Sequence, residues 1–362
     1  MHQVLGIQRG LTPGRICAAL FLLLSVVGCV ISPRRTLGGG PTPTPTPTGS
    51  PTPTPPVATG KLYVSNSGAN SILRFDSALT ASGNIVPSAT ISGASTTLNG
   101  PAFIALDAAA DRLYVANNAD LSILIFDNIS TKNGNVAPER TIAGSLTTLI
   151  TPTDVSLDKG RNLLYVADDI DIHVFGSAST ATGNVAPART LNIAFAVSGV
   201  FIDSANDCLY AADQAGNAIA VFDSASTLNG PVTANRTIQG AATHLANPGG
   251  IQIDGSGRLV VSNAAPPGIT IYNNAATANG NIAPAGEIVG SNTGMFVPDQ
   301  IVVNPSGTGS LYNADPGAAR VAIFSNLNTA NGNIAPTRSI VGPGTGLTVS
   351  GQPVGVALDA TR

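Results

Sequence analysis

From residue 57 onward the chain alternates short apolar runs with clusters of Gly, Asn, Asp, Ser and Pro. The runs recur in register. Leu62-Tyr63-Val64 returns at Leu113-Tyr114-Val115, Leu164-Tyr165-Val166, Leu209-Tyr210-Ala211, Leu259-Val260-Val261 and Leu311-Tyr312-Asn313, in steps of 51, 51, 45, 50 and 52 residues. An aromatic follows in every copy: Phe75, Phe126, Phe175, Phe222, Tyr272 and Phe324. A Gly-Asn pair comes next, as in Gly134-Asn135, with Gly230-Pro231 in the odd copy. An apolar run ending in Asp or Asn closes the pattern, at Asp107, Asp158, Asp203, Asp254, Asn304 and Asp359. Self-similarity at this period marks a repeat architecture, in which no unit can bury both faces alone.

Each unit predicts four short strands. In the second they are Phe103–Asp107, Leu113–Ala116, Ser122–Phe126 and Arg140–Ala143, separated by turn residues. Four antiparallel strands in about 50 residues make one blade of a β-propeller, and six copies predict six blades in an all-β fold. The first copy begins on a second strand (Lys61–Ser65), and the chain finishes on a first strand (Val354–Asp359). The C-terminal strand is therefore expected to complete the N-terminal blade and close the ring, an offset an open stack has no use for.

Composition agrees with many short strands: 40 Gly, 26 Pro, no Trp, and only 10 % charged residues, against roughly 25 % in ordinary soluble domains. Net charge is −3, and loss of Arg9 and Arg15 with the first 28 residues takes it to −5. Nothing is clustered and basic, so nucleic acid is not an expected partner. Of Cys17, Cys29 and Cys208, only the last falls in the repeats. That excludes an internal disulfide there and leaves too few thiols for a cluster; no Cys-x-x-Cys-His haem motif is present either. No cofactor is expected.

Residues 1–28 have the parts of a signal peptide: Arg9 and Arg15, then an apolar run, Ile16 to Val27, too short to span a bilayer. The run ends Val26-Val27-Gly28-Cys29, which resembles a bacterial lipobox with Val27 where Ala or Ser is common. The resemblance implies cleavage before Cys29, acylation of its thiol and attachment to a membrane, with cleavage as an ordinary secretory signal the alternative. Val30 in place of Asp implies the outer membrane. Several acyl chains would make the attachment nearly permanent. Residues 29–56 follow as a stalk. Its run of alternating Thr and Pro from Pro41 to Pro56 favours polyproline II, so it spans on the order of 50 Å. Residues 57–362 form the propeller, expected to be a monomer held at the cell envelope.

Segments such as Pro353-Val-Gly-Val-Ala-Leu-Asp359, and Leu113-Tyr-Val-Ala-Asn117 followed by Ile125-Phe-Asp127, resemble NHL-type propeller repeats. The resemblance covers residues 57–362, although the loop between third and fourth strands is longer than in that pattern. It implies a fold that hosts many activities, so function must be read from sites.

Six copies separate scaffold from site. A residue present in most copies serves the blade. By this rule the terminal Asp/Asn set caps its own turns, and Arg140, Arg189, Arg236 and Arg338, at one shared position, are outer-strand surface residues. Phe103, Phe195 and Phe296 lie outside the repeated aromatic positions, in or just after connections between blades. They are read either as loop packing or as an apolar binding patch. Asp120, Asp168, Asp169, Asp213 and Asp315 follow second strands and are read as solvated turn residues, with a cation site as the alternative. Asp154 and Asp299 begin first strands, aligned with Ala102, Ser198, Gly249 and Val354.

Two functions fit. One is a non-catalytic binding or scaffold module for an unidentified protein or glycan. The other is a hydrolase resembling metal-dependent propeller lactonases and esterases, with Asp154 and Asp299 as its best candidates. The resemblance implies Glu, Asp and Asn around an ion, but Glu139 and Glu287 fall at the periphery. No metal ligand or catalytic residue is assigned, and the first reading is preferred.

Overall fold

The computed structural model describes residues 59–304 and 309–362. Cys29, the signal and the stalk lie outside the described residues. The repeats form six sheets of four antiparallel strands, the third of which gains a two-residue fifth strand. In blade 2 the strands are Pro101–Asp107, Arg112–Asn117, Ser122–Asp127 and Arg140–Ile142, counted outward from the axis. Each lies within two residues of its expected bounds. The ring closes as the offset requires. Pro353–Asp359 pairs antiparallel with Lys61–Asn66, placing Leu358 opposite Leu62 and Val356 opposite Val64. The backbone N–H of Gly60 donates to the carbonyl of Arg362 at 2.8 Å.

The core lies between the blades, in six clusters, one at each interface. Tyr114 of blade 2, for example, packs against Leu164, Val166, Phe175 and Ala178 of blade 3. All six tyrosines are fully buried. Tyr114 and Tyr312 donate their hydroxyls to Ala178 and Ala78 of the following blade, each at 3.2 Å. Burial pushes the phenols of Tyr165, Tyr210 and Tyr272 up to about 12. Each such side chain contributes about 1.5–3 kcal/mol through the apolar surface it removes from water.

The long loop between third and fourth strands has a use the sequence did not reveal. It reaches back to the outer strand of the preceding blade and adds one bridge in parallel, as Gly134 does to Ile91 and Gly83 to Ile340 across the closure. Flanking asparagines complete the clasp. Asn133 Oδ1 accepts from Thr90 N–H at 3.0 Å, and Asn135 Oδ1 from Ser95 N–H at 2.7 Å. The partner loop must be glycine where it passes the asparagine. Gly144 has φ of 117°, and a Cβ there would lie 2.6 Å from Asn184. The odd copy follows the same logic. Gly230–Pro231 pairs with Leu191 and Asn192 as a two-residue strand, and the connection beyond (193–196) is the short one, without the Gly and Thr of the other five.

The arginines at the shared outer-strand position are not surface residues. Arg140 is half-buried, donates to Ser179 O of the next blade at 2.6 Å and pairs with Asp127 at 3.1 Å. Arg236 and Arg338 likewise reach the carbonyls of Ala275 and Ala78 in the next blade. The physical reason is the stagger of neighbouring blades, which places loop carbonyls of the next blade over the outer strand. Arg189 is the exception. Gly176 stands where blades 2 and 4 carry Asp127 and Asp223, and Nε and Nη2 of Arg189 are buried without a partner.

These contacts define two ends. At the lower end lie the turns from first to second strands, the clasp loops, the entry at Thr59 and the last residue, Arg362. The turn caps are also here: Asp107 accepts from Ala110 N–H and Asp158 from Arg161 N–H. At the upper end lie the turns from second to third strands and the connections between blades.

Candidate functional site

The innermost strands line an axial channel, and all but that of blade 6 begin with a bulge, as between Pro152 and Asp154. A bulge re-aims neighbouring side chains; the register of the strands corrects the alignment of the two acids. By strand register Asp154, opposite Ala167, matches Gly199 opposite Ala212 and Gly355 opposite Ser65. Gln300, whose carbonyl accepts from Ala314 N–H, holds the same place in blade 6. Asp299 is therefore one position earlier. The spacing carries the same offset: Asp154 stands four residues before Asp158, and Asp299 five before Asn304.

The structure nevertheless brings the pair into one electrostatic neighbourhood. Asp154 is buried. Its Oδ1 accepts from Val155 N–H at 2.7 Å and its Oδ2 from Val200 N–H of the next blade at 2.8 Å. Desolvation still holds its carboxyl well above the usual range, and the nearby Asp299 charge adds to this. Asp299 is pushed up to about 7 by burial first and Asp315 second. Glycine makes the space: a Cβ on Gly199 would meet Gly249 O at 2.3 Å and one on Gly249 would lie 3.6 Å from Asp299 Oδ1. Gln300 spans the channel. Its Oε1 accepts from Ile104 N–H at 3.1 Å and Val356 N–H at 2.8 Å, and its Nε2 donates to Ile104 O at 2.9 Å. It is the channel residue that sequence reading missed, though it occurs once at its repeat position. Below it lies a cavity of about 300 Å³ lined by Asp154, Ser156, Phe201, Gln252 and Gln300 among aliphatic side chains.

Chemically, this arrangement uses its polar atoms to hold the open edges of inner strands. Asp154, Ser156 and Gln300 each accept a backbone N–H from another blade. Among the described residues no group of three or more His, Cys, Asp or Glu is placed to share a metal ion. Glu139 accepts from Asp127 N–H and Glu287 meets His244, both away from the channel.

Of the five acids after second strands, two are structural, which corrects their reading as solvated, and Asp213 is half-buried, accepting from Gly216 N–H at 2.7 Å. Asp168 and Asp315 are fully buried. Asp168 accepts from the N–H groups of Ile150 and Thr151, and Asp315 from those of Phe296 and Val297 at 3.2 and 2.9 Å. They anchor the connections that would otherwise leave buried donors unpaired. His173 is buried between Asp168 and Thr190, 3.1 Å from each. Cys208 is buried at a strand start, and burial pushes its thiol up to about 11. Asp120 and Asp169 remain exposed.

The three phenylalanines do not form one patch. Phe103 is buried at the Asp154 position, Phe195 is half-buried against the cluster between blades 3 and 4, and Phe296 is 63 % exposed. The apolar surface lies at the same end but on other residues. Of ten exposed large apolar side chains among the described residues, all but Val86 are at the upper end, Leu121, Leu146, Ile150 and Ile170 among them. Of thirteen Lys and Arg among the described residues, only Arg320 is at that end, and it is committed to Thr293 O and Asp315. Repeat comparison at these positions is the signal that could have found them.

No protein-family model and no curated protein matches the chain. Solved structures do. A chain in the crystal structure of a nidogen/laminin complex is similar at 15 % identity and a TM-score of 0.52, over 83 % of this chain and 98 % of that one. A functionally unknown protein from Desulfotomaculum acetoxidans DSM 771 is similar at 14 % identity and 0.48, over 79 % and 82 %. A chain of the mitotic checkpoint complex is similar at 14 % and 0.48, over 78 % and 77 %. The first similarity shows the propeller fold and nothing finer.

Proposed function

We propose that this chain is a lipid-anchored, NHL-like propeller of the cell envelope that works as a non-catalytic binding or scaffold module for a protein or glycan. The anchor is Cys29, the spacer is the Thr-Pro stalk, and the address is the outer membrane or cell surface. The observation that carries the binding role is the segregation of the surface. One end holds nearly all the exposed large apolar side chains and almost no cations; the other holds the cations and the chain entry. Apolar surface gathered on one face marks interaction sites in soluble proteins. A propeller from a protein–protein complex, nidogen with laminin, is a precedent of fold.

A photo-crosslinking residue at position 296 or 150 of the full chain, in cells, is expected to trap a discrete species that the same residue at position 86 does not. Equal trapping at both ends would overturn the reading. The hydrolase alternative draws on the approach of Asp154 and Asp299. It requires ester or lactone turnover abolished by Asp299→Asn, whereas the hydrogen bonds of Asp154 predict no turnover.

A further inference from the structure

The upper end is not uniform, and the repeats show where it departs from its own rule. Leu121 has φ of 49° and is 43 % exposed; its counterparts are Asn70, Asn217 and Ala319. A left-handed backbone suits asparagine and disfavours a bulky apolar side chain. Leu146, 55 % exposed, stands where other copies have Ser95, Ala242, Asn292 and Gly344. Ile150, also 55 % exposed, stands where they have Asn99, Ala246, Thr348 and, once, Phe296. Ile170 is 50 % exposed at the tip of the next turn. Four costly apolar choices thus gather at the junction of blades 2 and 3.

The junction is also rigid and acidic. Asn118 Nδ2 donates to Pro152 O at 3.1 Å, tying the Leu121 turn to the connection that carries Ile150. Asp168 ties that connection to the Ile170 turn. Asp120, Asp169 and Asp171 stand beside Leu121 and Ile170 in the two turns; Asp120 and Asp171 each accept one amide N–H, from Asn99 and Asn192 at 2.7 Å, and none of the three belongs to an ion pair among the described residues. Among the described residues no lysine or arginine of this end is free to compensate them.

Resting on the binding role above, we infer that the junction of blades 2 and 3 docks a polypeptide segment whose apolar side chains are flanked by lysine or arginine. Uncompensated acids around exposed Leu and Ile complement such a segment in both respects. They repel an anionic lipid surface, and two copies of the face would oppose like charges.

The test uses the full chain and two synthetic peptides, one alternating Leu with Lys and one alternating Leu with Glu, followed by fluorescence anisotropy near physiological salt. The Leu–Lys peptide is expected to bind and the Leu–Glu peptide not. Ile150→Asn with Leu146→Ser should weaken binding roughly tenfold or more, and Asp120→Asn with Asp169→Asn and Asp171→Asn should weaken it and flatten its salt dependence. Val86→Ser, at the other end, should change nothing. Leu121→Asn separates docking from folding: it should raise the melting temperature and lower affinity together. Unchanged binding in both multiple variants, equal binding of the two peptides, or preference for phosphatidylglycerol vesicles would overturn the inference. Crosslinking at position 296 with silence at 150 would spare the binding role while sinking this partner class; silence at both would sink the two together.

Discussion

The two ends of the propeller are built on opposite principles. At the lower end almost every charged group has a task. Arg140 bridges blades, Asp158 caps a turn and holds Arg161, and Arg362 reaches Asp111 of blade 2. At the upper end the charges that serve the fold are buried, as Asp168 and Asp315 are, and the surface left over is apolar side chains with acids such as Asp120 and Asp169. Contacts that recur in the repeats leave few polar atoms free; positions where the copies diverge are free to take on a ligand. The difference teaches that the lower end bears the stability of the ring and the upper end is open to function.

Mutations should separate the ends by size of effect. Tyr114→Ala, which empties the interface between blades 2 and 3, should cost about 3–5 kcal/mol in denaturant unfolding. Arg140→Ala should cost about 1.5–3 kcal/mol, since it removes charge-assisted bonds across two blades. Arg189→Ala should cost less than half of that, because Arg189 lacks its acid; an equal loss would show that the carboxylate is not what makes the clamp. Gly176 has an ordinary backbone, and a Cβ there meets only Ala188 at 3.7 Å. Gly176→Asp should accordingly stabilise the chain by about 1 kcal/mol. Phe296→Ser should move stability by no more than about 0.5 kcal/mol and act on binding instead.

The channel adds a pH test. Asp299 has a folded-state value near 7, above its unfolded one, so the folded chain holds the extra proton between about pH 4 and 7. Its contribution therefore favours folding at low pH and is lost as pH rises through 7. Asp299→Asn should melt higher than the parent at pH 8, with the gap closing toward pH 4; a gap independent of pH would mean that the group is not desolvated.

The architecture was legible because blades are written six times. Even Tyr272, a tyrosine at a phenylalanine position, could be placed by register. What escaped was whatever depends on the neighbour. The outer-strand arginines read as exposed from within one blade and become clamps only when the next blade is laid beside it. Aligning Asp154 with Asp299 was one residue out, a slip that the spacing to the closing Asp158 and Asn304 exposes, four residues in one copy and five in the other. The exposed apolar surface lies at the end where the three phenylalanines were expected, but mostly on other residues. Aromatic rarity was the cue, and Phe103 turned out to be filling space; aliphatic residues at polar repeat positions were the better signal.

Ring closure by Pro353–Asp359 carries a consequence for biogenesis. The inner edge of Lys61–Asn66 has no partner until the last seven-residue strand has been synthesised, nearly 290 residues later. So distant a pairing pays its loop-closure entropy late and slows folding. Until then the first blade waits as a three-stranded sheet with an unpaired edge, the state most open to mispairing with another chain.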